Sequence, residues 1–249
     1  MTQQTHLQTR NKDAIYQVSL LQGLAYGDYY GSITVEELKG HGDTGIGTFN
    51  RLNGELILAD GEVYRAAGDG TIEAVSPQET IPFAIVTFLH GDLVKPLQEI
   101  PDYDALQKEL DALVRQRGIN RFYMIRIDGR FRAVNVRSVH AQEEPYQPLA
   151  KVLEHDQTFF DHENIEGTLV GLYCPPYLSA LNAVGWHMHF ISKDKTAGGH
   201  VLGVNIEDAV LTWDDKDAFR LQLPQNPMFS GFDLTVDQSA DIAKIEKNK

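Results

Sequence analysis

The chain has 249 residues, enough for one large domain or two small ones. Its hydrophobic fraction of 42% and charged fraction of 23% are ordinary for a soluble globular protein. A formal net charge of −13 argues against nucleic acid and anionic membrane as partners, since both attract basic surfaces, and the lone Cys174 excludes an intrachain disulfide.

Met1 to Lys12 is polar and lacks the apolar stretch of a signal peptide. The longest apolar run, Ile81 to Leu89, is far short of the roughly 20 residues a transmembrane helix needs. A cytoplasmic protein is the simplest expectation. Ile15, Val18 and Leu21 fall at helical spacing and predict a first helix from Asp13 to Leu24. Thr34 with Glu37 three places later is a capping box that opens a short helix ending at Gly40. Beyond Gly45 the period changes to two. Asn53-Gly54, Asp60-Gly61 and Asp69-Gly70 are hairpin turn signals between runs Ile46–Leu52, Glu55–Ala59, Glu62–Ala66 and Thr71–Val75, followed by a strand at Phe83–Leu89. Leu106, Leu110, Leu113 and Val114 mark an amphipathic helix from Tyr103 to Arg117, stopped by Gly118. Arg121–Ile127 and Arg130–Val139 flank Asp128-Gly129 and read as another hairpin.

The polar, proline-bearing stretch Gln142 to Pro148 is the best boundary, dividing the chain into an N-terminal half, 1–144, and a C-terminal half, 145–249. The second half predicts a helix at Leu149–Leu153 and strands at Ile165–Tyr173, Trp186–Ile191, His200–Val204, Ala209–Trp213 and Phe219–Leu223. The tail from Val236 is charged with a weak helical period. The class is α+β, with two mixed or antiparallel sheets and flanking helices.

The chemistry concentrates between Trp186 and His200. His187 and His189 are two apart, so on a strand both point to one face. Ser192 to Gly199 reads as a hairpin connection, which places His200 opposite His189 with Cβ atoms roughly 5 Å apart. Three converging imidazoles form the ligand set of an open zinc site on a C-terminal hairpin. Glu55 starts a strand and shares a face with Ile57 and Ala59; on the residues alone a solvated strand end is the favoured reading. Arg137 alternates with Phe131, Ala133, Asn135 and Val139, so it points with an apolar set and wants a carboxylate from the protein or from a ligand. Cys174 reads as a small core residue rather than a reactive thiol. Gly45-Ile46-Gly47 lacks the lysine and the helix of a phosphate loop. His41, His90, His140, His155 and His162 have no ligand-like spacing. On these residues alone, a cupin-like metal oxygenase or isomerase, with Asp194 near the histidines, and a non-catalytic metal-stabilised binding module stay open.

Gly45-Ile46-Gly47-Thr48-Phe49-Asn50 with Asn53-Gly54-Glu55, then Glu166 to Gly171, Gly185 to Phe190 and Gly198-Gly199-His200, together resemble the α-acetolactate decarboxylase family. The resemblance runs from about Val18 to Val210. It implies zinc held by His187, His189 and His200, a metal-site glutamate at Glu55, a motif threonine at Thr48, an active-site arginine at Arg137 and a tail glutamate at Glu246. It implies a cytoplasmic homodimer that converts (S)-2-acetolactate to (R)-acetoin and CO2. The metal would chelate the ketone and hydroxyl oxygens of the substrate and stabilise the enediolate.

Overall fold

A computed structural model describes residues 14–179 and 181–236. In chain order the elements are β1 (Ala14–Val18), α1 (Leu21–Ala25), β2 (Ile33–Thr34), α2 (Val35–Lys39), β3 (Thr44–Thr48), β4 (Glu55–Ala59), β5 (Glu62–Ala66), β6 (Ile72–Ala74), β7 (Thr80–Ile81), β8 (Phe83–Thr87) and β9 (Leu93–Ile100). Helix α3 (Tyr103–Arg117) leads into β10 (Phe122–Val139). There follow α4 (Leu149–His155), β11 (Gln157–Cys174), β12 (Gly185–Ser192), β13 (Gly198–Lys216), β14 (Ala218–Gln222) and α5 (Pro227–Gly231).

Local signals explain several of these limits. The capping box on α2 is reciprocal: Thr34 Oγ1 accepts from the Glu37 amide, and Glu37 Oε2 accepts from the Thr34 amide at 2.8 Å. Helix α3 has the expected bounds, with Asp102 capping the Ala105 amide and Gly118 ending it at φ 127°. The start of the chain differs from expectation. Ala14–Val18 is a strand, because its β-prone Ile, Tyr and Val pair on both edges, with β8 and with β14. The helical spacing of Ile15, Val18 and Leu21 spans a strand, a bend and a helix start. The Asp128-Gly129 hairpin is also absent, since β10 runs through it unbroken. A Cβ on Gly129 would stand 2.3 Å from the Asp208 carbonyl oxygen and 2.5 Å from Ala209 Cα. This glycine permits close strand approach rather than a turn.

Seven strands form one sheet in the order β14-β1-β8-β3-β4-β5-β6; it is mixed because β1 and β14 run parallel. The second sheet is antiparallel, β10-β11-β12-β13-β9, and β10 also pairs with β13, so the pairings close a circuit through four strands. The 144/145 division does not separate the sheets: β10 sits among the strands of the second half, and β14 sits beside β1. Period-two alternation sorts the side chains into layers. Leu56 and Leu58 pack with Val35 and Leu38 of α2 on the outside of the first sheet. Ile46, Ile57 and Phe83 meet Met124, Val170 and Ile191 between the sheets. Leu106, Leu110 and Val114 of α3 cover the far side of the second sheet against Trp213 and Phe190.

Candidate active site

The histidines lie on the inner face of the second sheet. Along β12, Trp186, Met188 and Phe190 belong to the core under α3, so His187, His189 and Ile191 face the first sheet. The hairpin places His200 directly opposite His189, as its length predicts. Its loop is held by Asp194, which accepts from Ser192 Oγ at 2.7 Å and Thr196 Oγ1 at 2.8 Å. Gly199, at φ 147°, lets β13 approach β10: a Cβ there would meet the Arg137 carbonyl oxygen at 2.6 Å.

The three rings converge. His187 Nε2 is 3.2 Å from His189 Nε2 and 3.1 Å from His200 Nδ1. Three nitrogens bound to one zinc at tetrahedral angles, each about 2.0–2.1 Å from it, lie about 3.3 Å apart. The observed spacing therefore fits a metal. Among the described residues these three form a group that could hold a metal ion. His189 Nδ1 is 2.8 Å from the Leu56 carbonyl oxygen, which can only accept. The proton thus sits on Nδ1, and the Nε2 lone pair faces the cluster, the orienting arrangement metal-ligand histidines require. Burial, then the Arg137 charge, lowers the His187 pKa to about 3. Burial, then the neighbouring His187, holds His189 well below its ordinary value. Both are neutral at pH 7, the form that binds metal.

The first sheet supplies the acid. Glu55 follows Gly54, which sits at φ 82° with its Cβ position 2.5 Å from the Ala66 carbonyl oxygen, so only glycine fits this turn. Glu55 is buried, contrary to a solvated strand end, because its face of β4 is the one packed against the second sheet. Its Oε2 lies 3.5 Å from His189 Nε2. Thr48 is the register partner of Glu55, and its hydroxyl donates to the Gly54 carbonyl oxygen at 2.7 Å. Arg137 lies on β10 between Phe159 of β11 and His200 of β13 and is buried. Its expected alternation with Phe131 is not kept. Register shifts between Arg130 and Val136 send Phe131, Val134 and Val136 to the α3 side, while Val139 faces the first sheet.

All of these groups but His189 line one small cavity, of about 40 Å³. Thr48, Glu55, Arg137, His187 and His200 supply its polar groups; Leu21 and Leu24 of α1 and Leu149 and Leu153 of α4 supply much of its apolar wall. Few polar groups converging within an apolar enclosure suit a small polar ligand. A profile of the family described as alpha-acetolactate decarboxylase matches residues 15–236. The chain belongs to the alpha-acetolactate decarboxylase family.

Its relatives in the alpha-acetolactate decarboxylase family match over most of their length. The alpha-acetolactate decarboxylase of Methanosarcina mazei is 39% identical over 235 residues, covering 94% of this chain and 81% of that protein. That of Bacillus licheniformis is 38% identical over 240 residues, covering 96% and 94%. The crystal structure of alpha-acetolactate decarboxylase from Bacillus subtilis strain 168 superposes with a TM-score of 0.90 at 36% identity, over 95% of this chain and all of that one. Glu246 lies outside the described residues. Cys174 is a buried core residue, and burial pushes its thiol up to about 12. The Leu56 carbonyl, the leucine wall and Gln157, which accepts from Arg137 Nη1 at 3.0 Å, carry no motif of their own in the sequence.

Proposed function

We propose that this chain decarboxylates (S)-2-acetolactate to (R)-acetoin and CO2 at a zinc ion held by His187, His189 and His200. The observation that carries the proposal is the cluster of three imidazoles, with His187 Nε2 3.2 Å from His189 Nε2 and 3.1 Å from His200 Nδ1, beside a cavity that Glu55 and Arg137 line. Zinc, when bound, would polarise the substrate ketone and balance the negative charge left as CO2 departs. The β-keto group accepts the electron pair of the broken C–C bond, so no organic cofactor is required. Arg137 orients the departing carboxylate. It must not hold that carboxylate too firmly, since such binding stabilises the ground state as much as the transition state. Glu55 acts beside the histidine cluster. Thr48 holds the turn from which Glu55 projects. Glu246 either donates the proton that fixes the hand of the product or closes the site. The burial of the site excludes water that would protonate either face.

The family also makes a cytoplasmic homodimer the natural extension of this proposal, and light scattering on the purified protein tests its assembly. Anaerobic incubation with racemic acetolactate tests the activity. Acetoin formed from one enantiomer, with about one zinc per chain, is the expected result. Substrate consumption that depends on iron and O2 would instead favour a cupin-like oxygenase, and retention of unchanged ligand a binding module.

A further inference from the structure

Gln157 connects Arg137 to the wall of the cavity. It opens β11, opposite Val139 and diagonal to Arg137, whose direct partner is Phe159. Its Oε1 accepts from Arg137 Nη1 at 3.0 Å. Its Nε2 donates to the carbonyl oxygen of Leu153, in the last turn of α4. An amide has one accepting and one donating end, and both are used here, so the end that faces the guanidinium is fixed. Leu153 and Leu149 of the same helix line the cavity. The chemistry of this contact matters because the acceptor is neutral. A carboxylate in its place would bind Arg137 more strongly, but would offset the charge that an anionic ligand needs.

We propose that Gln157 is a positioning residue for the reaction: it orients the Arg137 guanidinium with a neutral acceptor, keeps its charge for the substrate carboxylate, and ties that orientation to α4. The inference rests on the decarboxylase reading of this cavity. It adds a residue that neither touches the substrate nor holds the metal.

The test compares wild type, Gln157→Glu and Gln157→Met. For each, kcat and KM for acetolactate are measured together with zinc content and circular dichroism. Dissociation constants are measured for two probes: 2,3-dihydroxy-2-methylbutanoate, the ketone-reduced anion, and acetoin, which lacks the carboxylate. Gln157→Glu should raise KM and the anion's Kd about tenfold or more, with acetoin binding within about twofold and zinc unchanged. Gln157→Met should lower kcat/KM about tenfold with zinc retained, which keeps the proposal testable if the charged variant does not fold. Wild-type constants in both variants would overturn it, as would equal weakening of anion and neutral probe, the mark of a merely structural role. If wild type forms no acetoin, the decarboxylase reading fails, while the contrast between the two probes still decides the role of Gln157.

Discussion

His189 of the second sheet donates from Nδ1 to the backbone carbonyl of Leu56 in the first, across 2.8 Å. The adjacent residue, Glu55, brings its carboxylate to within 3.5 Å of the other ring nitrogen. One strand thus sets the tautomer of the imidazole and places an acid beside it. Zinc content should be about one per chain in wild type and near zero in His189→Ala. Elemental analysis of protein purified without added metal decides this. Equal zinc in both proteins would remove the site.

Arg137→Lys should lower kcat/KM by about a hundredfold or more with zinc retained, because an ammonium cannot make the planar two-point contact with a carboxylate. Steady-state kinetics with metal analysis checks it. Unchanged turnover would return Arg137 to a structural ion pair.

Glu55 and Glu246 should fail differently. Glu55→Gln should abolish decarboxylation or weaken metal retention. Glu246→Gln, or a chain ending at Ala243, should release CO2 while slowing or scrambling protonation. The measurements are CO2 release and acetoin chirality. A shortened chain that keeps zinc and makes (R)-acetoin at the full rate would remove the tail from the chemistry.

Cys174 should resist alkylation in the folded protein at pH 8 and react readily in urea, since burial raises its thiol from the ordinary 9 to about 12. The sign for stability follows. The folded state keeps a proton that the unfolded state loses above pH 9, so this contribution is complete below pH 9 and falls away as pH rises toward 12. Urea midpoints for wild type and Cys174→Ala, compared at pH 8 and pH 10.5, measure the difference. An equal change in both proteins would place the effect elsewhere.

The histidine hairpin was legible because it depends on two local rules, alternation along a strand and the length of a turn. Both survive folding unchanged, and His189 meets His200 in register. The burial of Glu55 was not legible, since its face of β4 is the less apolar one and only the docking of the second sheet covers it. Asp128-Gly129 carries a turn signature, yet three strands pass side by side there, with Gly129 opposite both Gly167 and Ala209. Non-local pairing outweighed the local preference, as it did for Ala14–Val18. The leucine wall depends on where α1 and α4 dock, which no spacing within either helix reports.

The parallel pairing of β1 with β14 joins residue 14 to residue 218. During synthesis β1 therefore waits for about 200 further residues before gaining that neighbour. At about 5–20 residues per second, the interval is on the order of ten seconds or more. Until then the edge of β1 that faces β14 is open. Every residue that lines the cavity, His200 included, precedes β14, so the vulnerability in that interval is the open edge of β1, which a sister chain could pair with.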